Sequence, residues 1–250
     1  MNSNDVKIII LAGGKGKRMQ SDLPKVLMNL KGKPMISHLL ESIDKAEICK
    51  DPCIVVGYQK EKVIDVLGDK YKYAHQAEQL GTGHAVMVAR NHLDDNVKNV
   101  LVLYGDNPFI TSETIKKIVE KHLLTKNKIT MATVVLEDFK DWRSFFYSNF
   151  SRIIRDQDNK IIKSVEFKDA TEEERKIKEV NPCYFCFNAK WLWEKLGTLK
   201  NENSQKEYYL TDLVKIAMED GENIESISIK ANEALAANSK EELELLENFR

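Results

Sequence analysis

The chain reads Leu11-Ala-Gly-Gly-Lys-Gly-Lys-Arg-Met-Gln-Ser-Asp-Leu-Pro-Lys25, directly after the apolar run Ile8-Ile9-Ile10-Leu11. An apolar run that ends at a glycine cluster predicts a buried strand followed by a tight turn. Clustered glycines let the backbone turn sharply and bring several N–H groups close to one anion. We therefore predict that Gly13, Gly14 and Gly16 form a phosphate-binding loop at the end of the first strand.

Cationic side chains surround the same loop, at Lys15, Lys17, Arg18 and Lys25. Arginine binds phosphate oxygens through a fork, whereas lysine supplies a mobile point charge. A dinucleotide fingerprint counted from Gly14 would have Met19 at its third glycine position, and the spacing of a P-loop is absent. A glycine-rich turn with solvated lysines is the alternative interpretation.

Short apolar runs and helix-periodic segments alternate along the first half of the chain, which predicts a mixed, mainly parallel sheet flanked by helices. The predicted strands are 8–11, 53–56, 100–104, 129–135, 161–167, 184–188 and 224–229. The predicted helices are 36–43, 61–67, 83–90, 112–124, 190–199, 210–220 and a terminal helix that a capping box at Ser239 begins. Residues 137–149 are expected to leave the sheet. No linker or repeat interrupts residues 1–250, so we expect one α/β domain.

Bulk composition narrows the classes of partner. The chain has 250 residues, of which 38 are basic and 39 acidic, so no broad field favours nucleic acid. The apolar run that begins at Val6 is too short to span a bilayer, and we expect a cytoplasmic protein with no membrane partner. Cys183 and Cys186 lie in an apolar run that resembles a strand, where residues three apart point to opposite faces, so we expect buried free thiols rather than a metal site.

Asp106 follows the apolar strand 100–104, at the edge of the sheet where α/β proteins place their sites. Magnesium prefers oxygen ligands and commonly keeps substrate phosphates and water in its coordination sphere, so one or two protein ligands suffice. Asp106 is therefore a candidate Mg²⁺ ligand. A turn-forming aspartate ahead of Pro108 is the alternative.

The string L-A-G-G-K-G-K-R-M with L-P-K after it resembles the signature of the nucleotidyltransferases that activate sugar phosphates, close to its form in bacterial UDP-N-acetylglucosamine pyrophosphorylases. The resemblance implies a Rossmann-like, GT-A-like nucleotidyltransferase fold. It implies that the loop, from Leu11 and Ala12 onward, wraps a nucleoside triphosphate, while Arg18 and Lys25 neutralise its phosphates. It also implies that Arg18, Lys25 and Asp106 are catalytic, and that Asp106 and Asn238 hold Mg²⁺. A helix cap is the alternative role for Asn238.

His75-Gln-Ala-Glu-Gln-Leu-Gly-Thr-Gly-His-Ala85 is similar to the nucleotide-recognition segment of that family. By this resemblance Gln76, Gln79, Gly81 and Thr82 contact the nucleotide and select uracil. A carboxamide offers one donor group and one acceptor, as the uracil edge does. The alternatives are a surface role for Gln76 and a helix cap for Thr82.

The sugar side is implied by further matching segments. Val165-Glu-Phe-Lys-Asp-Ala170 resembles V-E-x-K-D-A, and Gln205-Lys-Glu-Tyr-Tyr-Leu-Thr-Asp212 resembles Q-G-E-Y-Y-I-T-D. The sugar contacts implied are Tyr104, Gly105, Ser151, Glu166, Asn181 and Tyr209. The chain departs from the family at Ser151, where the family has glycine, and at Pro182-Cys183, where it has Thr-Gly; these changes reshape the expected sugar pocket.

The expected activity is formation of UDP-N-acetylglucosamine and pyrophosphate from UTP and N-acetylglucosamine 1-phosphate, with Mg²⁺. The alternatives are another sugar 1-phosphate, a cytidylyltransferase, a nucleotide-sugar binding protein without turnover and, more distantly, a dehydrogenase. The bifunctional members of the family continue into a left-handed β-helix with acetyltransferase activity. No such segment is in the sequence, so we expect the uridyl transfer alone, in a monomer or weak oligomer.

Overall fold

The computed structural model describes residues 5–19, 21–203 and 205–249, apart from the side chain of Lys17. Within them the strands are β1 Val6–Ala12, β2 Asn29–Leu30, β3 Lys33–Pro34, β4 Cys53–Val56, β5 Lys72–His75, β6 Asn99–Tyr104, β7 Ile129–Val135, β8 Ser151–Arg155, β9 Ile161–Val165, β10 Glu179–Asn181, β11 Phe185–Asn188 and β12 Ile224–Ile229. The α-helices are α1 Met35–Ala46, α2 Lys60–Leu67, α3 Thr82–Ala89, α4 Ser112–Thr125, α5 Phe145–Asn149, α6 Glu172–Arg175, α7 Ala189–Leu196, α8 Asp212–Glu219 and α9 Lys240–Asn248. None of these helices has the length and apolar character that crossing a membrane requires.

One sheet carries most of the strands, in the order β5-β4-β1-β6-β11-β7-β10-β8-β9, with β12 paired to β7. Seven of these ten strands run in the same direction, namely β1, β4, β5, β6, β7, β8 and β12. The predicted mixed, mainly parallel sheet flanked by helices is confirmed. Strands from both halves of the chain interleave at β6-β11-β7, which favours the predicted single domain.

Strand β1 shows why helices cover both faces of the sheet. Its side chains alternate between two hydrophobic cores, with Ile8 and Ile10 in one and Ile9 and Leu11 in the other. Helices α1 and α4 supply apolar residues to the first core, and α3, α7 and α8 supply them to the second. A strand that is buried on both faces has to be apolar at every position, and this is the pattern of Ile8–Leu11 in the sequence.

Five short strands are absent from the sequence-based expectation. The edge strand β5 has the polar sequence Lys-Tyr-Ala-His, and the hairpin β2–β3 has two residues in each strand. Strand β8 contains two arginines, and β10 has only three residues. None of them offers the apolar run that predicts a buried strand. The predicted strand 161–167 was also too long, because β9 ends at Val165.

The predicted helix bounds lie within three positions of the observed ones; α1 continues to Ala46 beyond the predicted residue 43, and α7 ends at Leu196 before the predicted residue 199. Gly221 adopts a φ of +74° just after α8, as a left-handed glycine that ends a helix should. At α9 the Ser239 hydroxyl accepts from the Glu242 N–H, but the Glu242 carboxylate accepts from the N–H of Asn238 at 2.6 Å. The predicted capping box was therefore only half right, since its second bond holds Asn238 rather than Ser239.

All four cysteines are free thiols; Cys49, Cys53 and Cys186 are buried, whereas Cys183 is partly buried. Cys186 belongs to the core that contains Ile8, whereas Cys183 packs against the other core. Among the described residues no group of three or more His, Cys, Asp or Glu side chains is placed to hold a metal ion. Cys183 lies before β11 and has a φ of +64°, so it is not part of the strand that the sequence suggested, although the two thiols do lie on opposite sides of the sheet.

His122 on α4 is the buried titratable group that links this helix to the sheet. It is 2% exposed and contacts Thr130 Oγ1 at 3.0 Å and Asn99 Oδ1 at 3.2 Å. Burial lowers the pKa of His122 to about 4. The imidazole is therefore neutral near pH 7, with the proton on Nε2, because Asn99 Oδ1 can only accept.

We predict that acid destabilises the protein through His122. The unfolded chain binds a proton near pH 6.5 and the folded chain does so only near pH 4, so stability is lost as the pH falls through this window. Between pH 7 and pH 5 the loss is about 2 kcal/mol of unfolding free energy. Urea denaturation at pH 7 and at pH 5 measures this loss of unfolding free energy. In His122→Gln the loss between the two pH values should be smaller than in the unmodified protein by about 2 kcal/mol. Equal losses in the two proteins would contradict the assignment.

Candidate active site

A cavity of about 210 Å³ opens at the edge of the sheet where β1, β4 and β6 end. Its lining brings together segments that are distant in the sequence. The lining residues are Leu11, Ala12, Gly13, Gly14, Lys25, Val26, Gln76, Gln79, Gly81, Thr82, Ala85, Tyr104, Asp106 and Glu207. Every residue that the sequence predicts to contact the nucleotide is among them except Gly16 and Arg18.

Gly16 shapes the glycine loop from outside the cavity. It has a φ of +62°, and a Cβ there would lie 2.8 Å from Cβ of Lys25. The loop is tied to the neighbouring strand end by a bond of 3.1 Å from the N–H of Tyr58 to the carbonyl of Gly13. Arg18 is exposed and does not line the cavity, so the structure does not bring it to the other predicted residues.

Gln76 lies at the end of β5 and is only 4% exposed, which excludes a surface role. Its amide nitrogen donates to the carbonyl of Gly81 at 3.0 Å, and the side chain of Gln79 donates to the carbonyl of Gln76 at 3.1 Å. These bonds fold residues 76–81 into a compact wall. Its carboxamides and backbone groups can recognise the polar edge of a base.

The segment that begins at Gln205 packs against this wall. The N–H of Gly83 donates to Tyr208 at 2.7 Å, and the N–H of Tyr208 donates to Leu80 at 2.7 Å. Thr82 Oγ1 accepts from the N–H of Leu210 at 2.9 Å, whereas no side chain caps α3. The helix-cap role for Thr82 was therefore wrong, and its hydroxyl joins the two segments instead.

Lys25 and Asp106 line the cavity, and Asn238, which does not line it, joins them through a bond to Lys25. The Lys25 ammonium forms an ion pair with Asp106 and donates to Asn238 Oδ1 at 2.8 Å. Both side chains of the ion pair are largely buried, so Lys25 is not a solvated lysine. Because Glu242 accepts from the N–H of Asn238, helix α9 fixes this residue beside the loop. Asp106 lies in the turn after β6, and its carboxylate contacts the same ammonium group of Lys25.

The residues here fit a magnesium ion. One carboxylate oxygen and one amide oxygen converge on the ammonium of Lys25. This positive group stands in for the metal ion. Hard oxygen donors are the ligands that Mg²⁺ prefers, and two of them leave room for phosphate oxygens and water.

Two of the six predicted sugar residues, Glu166 and Tyr209, line a second cleft of about 580 Å³. Tyr104 lines the first cavity instead, and Ser151, Asn181 and Gly105 line neither, because each of them is packed inside the fold. The Ser151 hydroxyl donates to Glu166 Oε1 at 2.7 Å, and Asn181 is fully buried opposite Ser151 in the β8–β10 ladder. Tyr104 lies on the cavity side, where burial raises the pKa of its hydroxyl well above the usual range. It therefore remains a proton donor at neutral pH.

Gly105 packs beneath the site instead of lining it. Its N–H donates to the carbonyl of Leu11 at 2.9 Å, and a Cβ there would lie 3.0 Å from Val26. The sequence-based site also omits Val26, Ala85, Glu207 and Gly57. A Cβ on Gly57 would lie 2.6 Å from the Gly13 carbonyl oxygen. Gly57 directly follows the predicted strand 53–56. A glycine at this position is the signal in the sequence that could have identified the contact.

Comparison with known proteins places this site in a family. Residues 8–211 match the family model described as MobA-like NTP transferase domain. The chain is 40% identical over 237 residues to the protein "Bifunctional protein GlmU" of Caldicellulosiruptor saccharolyticus, covering 94% of this chain and 50% of that protein. It is 45% identical over 222 residues to the protein of that name from Carboxydothermus hydrogenoformans, covering 89% and 47%. The chain thus spans about half the length of these curated relatives.

Solved structures agree with the fold. A UDP-glucose pyrophosphorylase complexed with UDP-glucose superposes with a TM-score of 0.77 at 17% identity, over 97% of both chains. A CMP:2-keto-3-deoxy-manno-octonic acid synthetase complexed with CTP superposes with a TM-score of 0.70 at 14% identity, also over 97% of both. The predicted nucleotidyltransferase fold is confirmed by this likeness.

We predict that the base-recognising wall depends on Gly81. Its φ is +105°, and a Cβ would lie 2.6 Å from the Tyr208 carbonyl oxygen. Gly81→Ala should lose about 3 kcal/mol of unfolding free energy and at least about tenfold in UTP affinity, because overpacking adds to backbone strain. Urea denaturation and calorimetric titration with UTP measure the two effects.

Gly68→Ala is the matched control. Gly68 also has a positive φ, +74°, but nothing lies within 4 Å of the added Cβ. This variant should lose only about 1 kcal/mol and keep its UTP affinity, since it adds strain without a clash. Equal effects of the two substitutions would show that the contact with Tyr208 is unimportant.

Proposed function

This chain belongs to the family of MobA-like NTP transferase domains, and we propose that it transfers a uridylyl group from UTP to N-acetylglucosamine 1-phosphate. The products are UDP-N-acetylglucosamine and pyrophosphate. One observation carries the proposal: the cavity between the glycine loop and the wall formed by residues 76–81 is lined by Lys25 and Asp106, and Asn238 is bonded to Lys25. A surface for the base, a loop for the phosphates and a site for a cation together match the parts of a nucleoside triphosphate with its metal ion. The monomeric or weakly oligomeric state and the cytoplasmic location of the protein stay predictions.

The preference for uracil is supported by the wall itself. Gln76 is held by its bond to the Gly81 carbonyl, which fixes the direction in which its carboxamide oxygen points. Gly81 and Gln79 add a backbone and an amide group beside it. The uracil edge carries one N–H donor between two carbonyl acceptors, and these groups can satisfy it. Cytosine has an amino group in place of one of these carbonyls, so a donor of the base would face a donor of the wall.

The preference for an N-acetylated sugar is supported by Glu166 and Asn181. Glu166 keeps one carboxylate oxygen that Ser151 does not bind. The amide nitrogen of Asn181 is buried and has no hydrogen-bond partner within the described residues. One free acceptor and one free donor match the N–H and C=O of an acetamido group. An unsatisfied buried amide also points to a ligand that supplies its partner.

The reaction is an in-line displacement at the α-phosphorus. A phosphate oxygen of the sugar 1-phosphate forms the new P–O bond, and pyrophosphate leaves on the opposite side with the bonding electron pair. A bound Mg²⁺ supplies neutralisation of the phosphate charge. Asp106 and Asn238 would hold it, and Lys25, released from them, would move its ammonium to the phosphates. The glycine loop orients the chain of phosphates, so catalysis rests on positioning and on charge.

Pyrophosphate release tests the proposal directly. The assay combines UTP or CTP with Mg²⁺ and the 1-phosphates of N-acetylglucosamine, N-acetylgalactosamine, glucose and galactose. We expect release with UTP and preferentially with N-acetylglucosamine 1-phosphate. Preference for another sugar would replace the acceptor, and preference for CTP would replace the nucleotide. Binding of UDP-sugars without any release would favour a protein that binds nucleotide sugars without turnover.

We predict that Asp106→Ala lowers kcat about 10³-fold, which corresponds to about 4 kcal/mol of transition-state stabilisation. Loss of the carboxylate removes one of the two oxygen ligands and leaves the positive charge of Lys25 without its partner. Chelation of Mg²⁺ with EDTA should abolish turnover of the unmodified protein, and excess Mg²⁺ should restore it. Steady-state pyrophosphate release measures both.

Asp65→Ala is the control for this variant, because Asp65 is an exposed carboxylate on α2 away from the cavity. It should keep full turnover. An Asp106→Ala protein that also retains most of its kcat would refute the cation site, whereas a normal unfolding midpoint with lost activity would support it.

A further inference from the structure

We propose that Ser151 is a positioning residue for sugar selection, which fixes Glu166 so that a single carboxylate oxygen faces the sugar. The inference rests on the proposed function for the identity of the sugar. Ser151 is 3% exposed, and its hydroxyl donates to Glu166 Oε1 at 2.7 Å. Buried in this way, the serine reaches the sugar through Glu166 rather than by direct contact.

The ladder explains why these two residues meet. Strands β8 and β9 are antiparallel, and Arg152 pairs with Val165. Ser151 and Glu166 are the next residues along each chain, so they face each other at the end of the hairpin. A carboxylate can only accept hydrogen bonds, so the Ser151 hydroxyl is the donor to Oε1 of Glu166. The other oxygen, Oε2, is left for the ligand. A bond to a charged group also restrains the rotamer of Glu166 more strongly than a neutral bond would.

The donor that complements this oxygen comes from the other neighbour of β8. Asn181 on β10 pairs with Ser151, which places both side chains on the same face of the sheet. Asn181 Oδ1 accepts from the N–H of Cys183 at 2.8 Å. This bond fixes the amide, so its buried nitrogen is the atom left for a ligand. Ser151 therefore sets the position of the acceptor relative to a donor that is already held.

Removal of the hydroxyl would relax this arrangement. Both oxygens of Glu166 would become free and the side chain could turn, so a hydroxyl group of a sugar could satisfy it as well as the N–H of an acetamido group. Discrimination between N-acetylglucosamine 1-phosphate and glucose 1-phosphate would fall. The nucleotide cavity does not include Ser151, so affinity for UTP should be unaffected.

The experiment compares Ser151→Ala, Ser151→Thr and Ser164→Ala with the unmodified protein at saturating UTP and Mg²⁺. For Ser151→Ala we expect KM for N-acetylglucosamine 1-phosphate to rise about tenfold, as for a lost bond to a charged group. The KM for glucose 1-phosphate should change less, and kcat and KM for UTP should stay within about twofold. Ser151→Thr, which keeps the hydroxyl in a strand, should restore the preference.

Ser164→Ala is the matched control, since Ser164 belongs to the same hairpin and lies outside the cleft lining. It should leave both sugar KM values unchanged. The proposal is overturned if Ser151→Ala keeps its sugar KM values, if KM for UTP rises in parallel, or if threonine does not restore discrimination.

Calorimetric binding separates this inference from the proposed function. If no sugar 1-phosphate supports pyrophosphate release, the uridylyl-transfer proposal fails, but Kd values for UDP-N-acetylglucosamine, UDP-glucose and UDP can still be compared. Ser151→Ala should then lose about tenfold in the ratio of the two UDP-sugar affinities while its Kd for UDP stays constant. An unchanged ratio would refute the role of Ser151 whatever the turnover.

Discussion

The close approach of two backbones, at Gly13 and Gly57, is the contact on which the site depends. These residues end the neighbouring parallel strands β1 and β4, where Ala12 pairs with Val56. A side chain on Gly57 would reach within 2.6 Å of the Gly13 carbonyl oxygen, and one on Gly13 would reach within 3.0 Å of Gln76 Oε1. Because neither residue has a Cβ, the glycine loop and the segment 76–81 can line one cavity. Separation of the strand ends would also misplace Gln79, whose amide lies against Gly57.

The cation site that we propose depends on segments that are far apart in the sequence. Lys25 and Asn238 are 213 positions apart, and their bond depends on α9, because Glu242 holds the backbone of Asn238. Asp106 reaches the same point from the end of β6. Each of the three segments is tied to a different part of the fold, so the convergence of their side chains is a property of the packed sheet and helices. A local loop alone could not assemble it.

Much of the fold and of the site could be predicted from the sequence, and the failures share a physical cause. Strands 53–56, 129–135 and 224–229 were predicted with correct bounds because both faces are buried or one face is strongly apolar. Strand β5 is polar because it lies at the edge, so its sequence carried no such signal. Local propensity favoured a cap for Thr82 and a surface position for Gln76. Contacts across the fold decide both, since Leu210 binds the threonine and burial encloses the glutamine.

The linings of the two clefts differ in charge. Three carboxylates, of Glu166, Asp169 and Glu202, line the second cleft against the one ammonium of Lys168, which makes it the more acidic end, whereas Lys25 lines the first cavity together with Asp106 and Glu207. Burial, with the charge of Glu166 as a second cause, raises the pKa of Asp212 behind the acidic end. A phosphate is repelled from this end and attracted to the ammonium, while sugar hydroxyl and amide groups donate well to carboxylates. With 38 basic and 39 acidic residues in the chain, there is no net field to orient a small anion from a distance. The direction in which a sugar 1-phosphate enters is therefore set locally, by which end of the paired clefts its phosphate can approach.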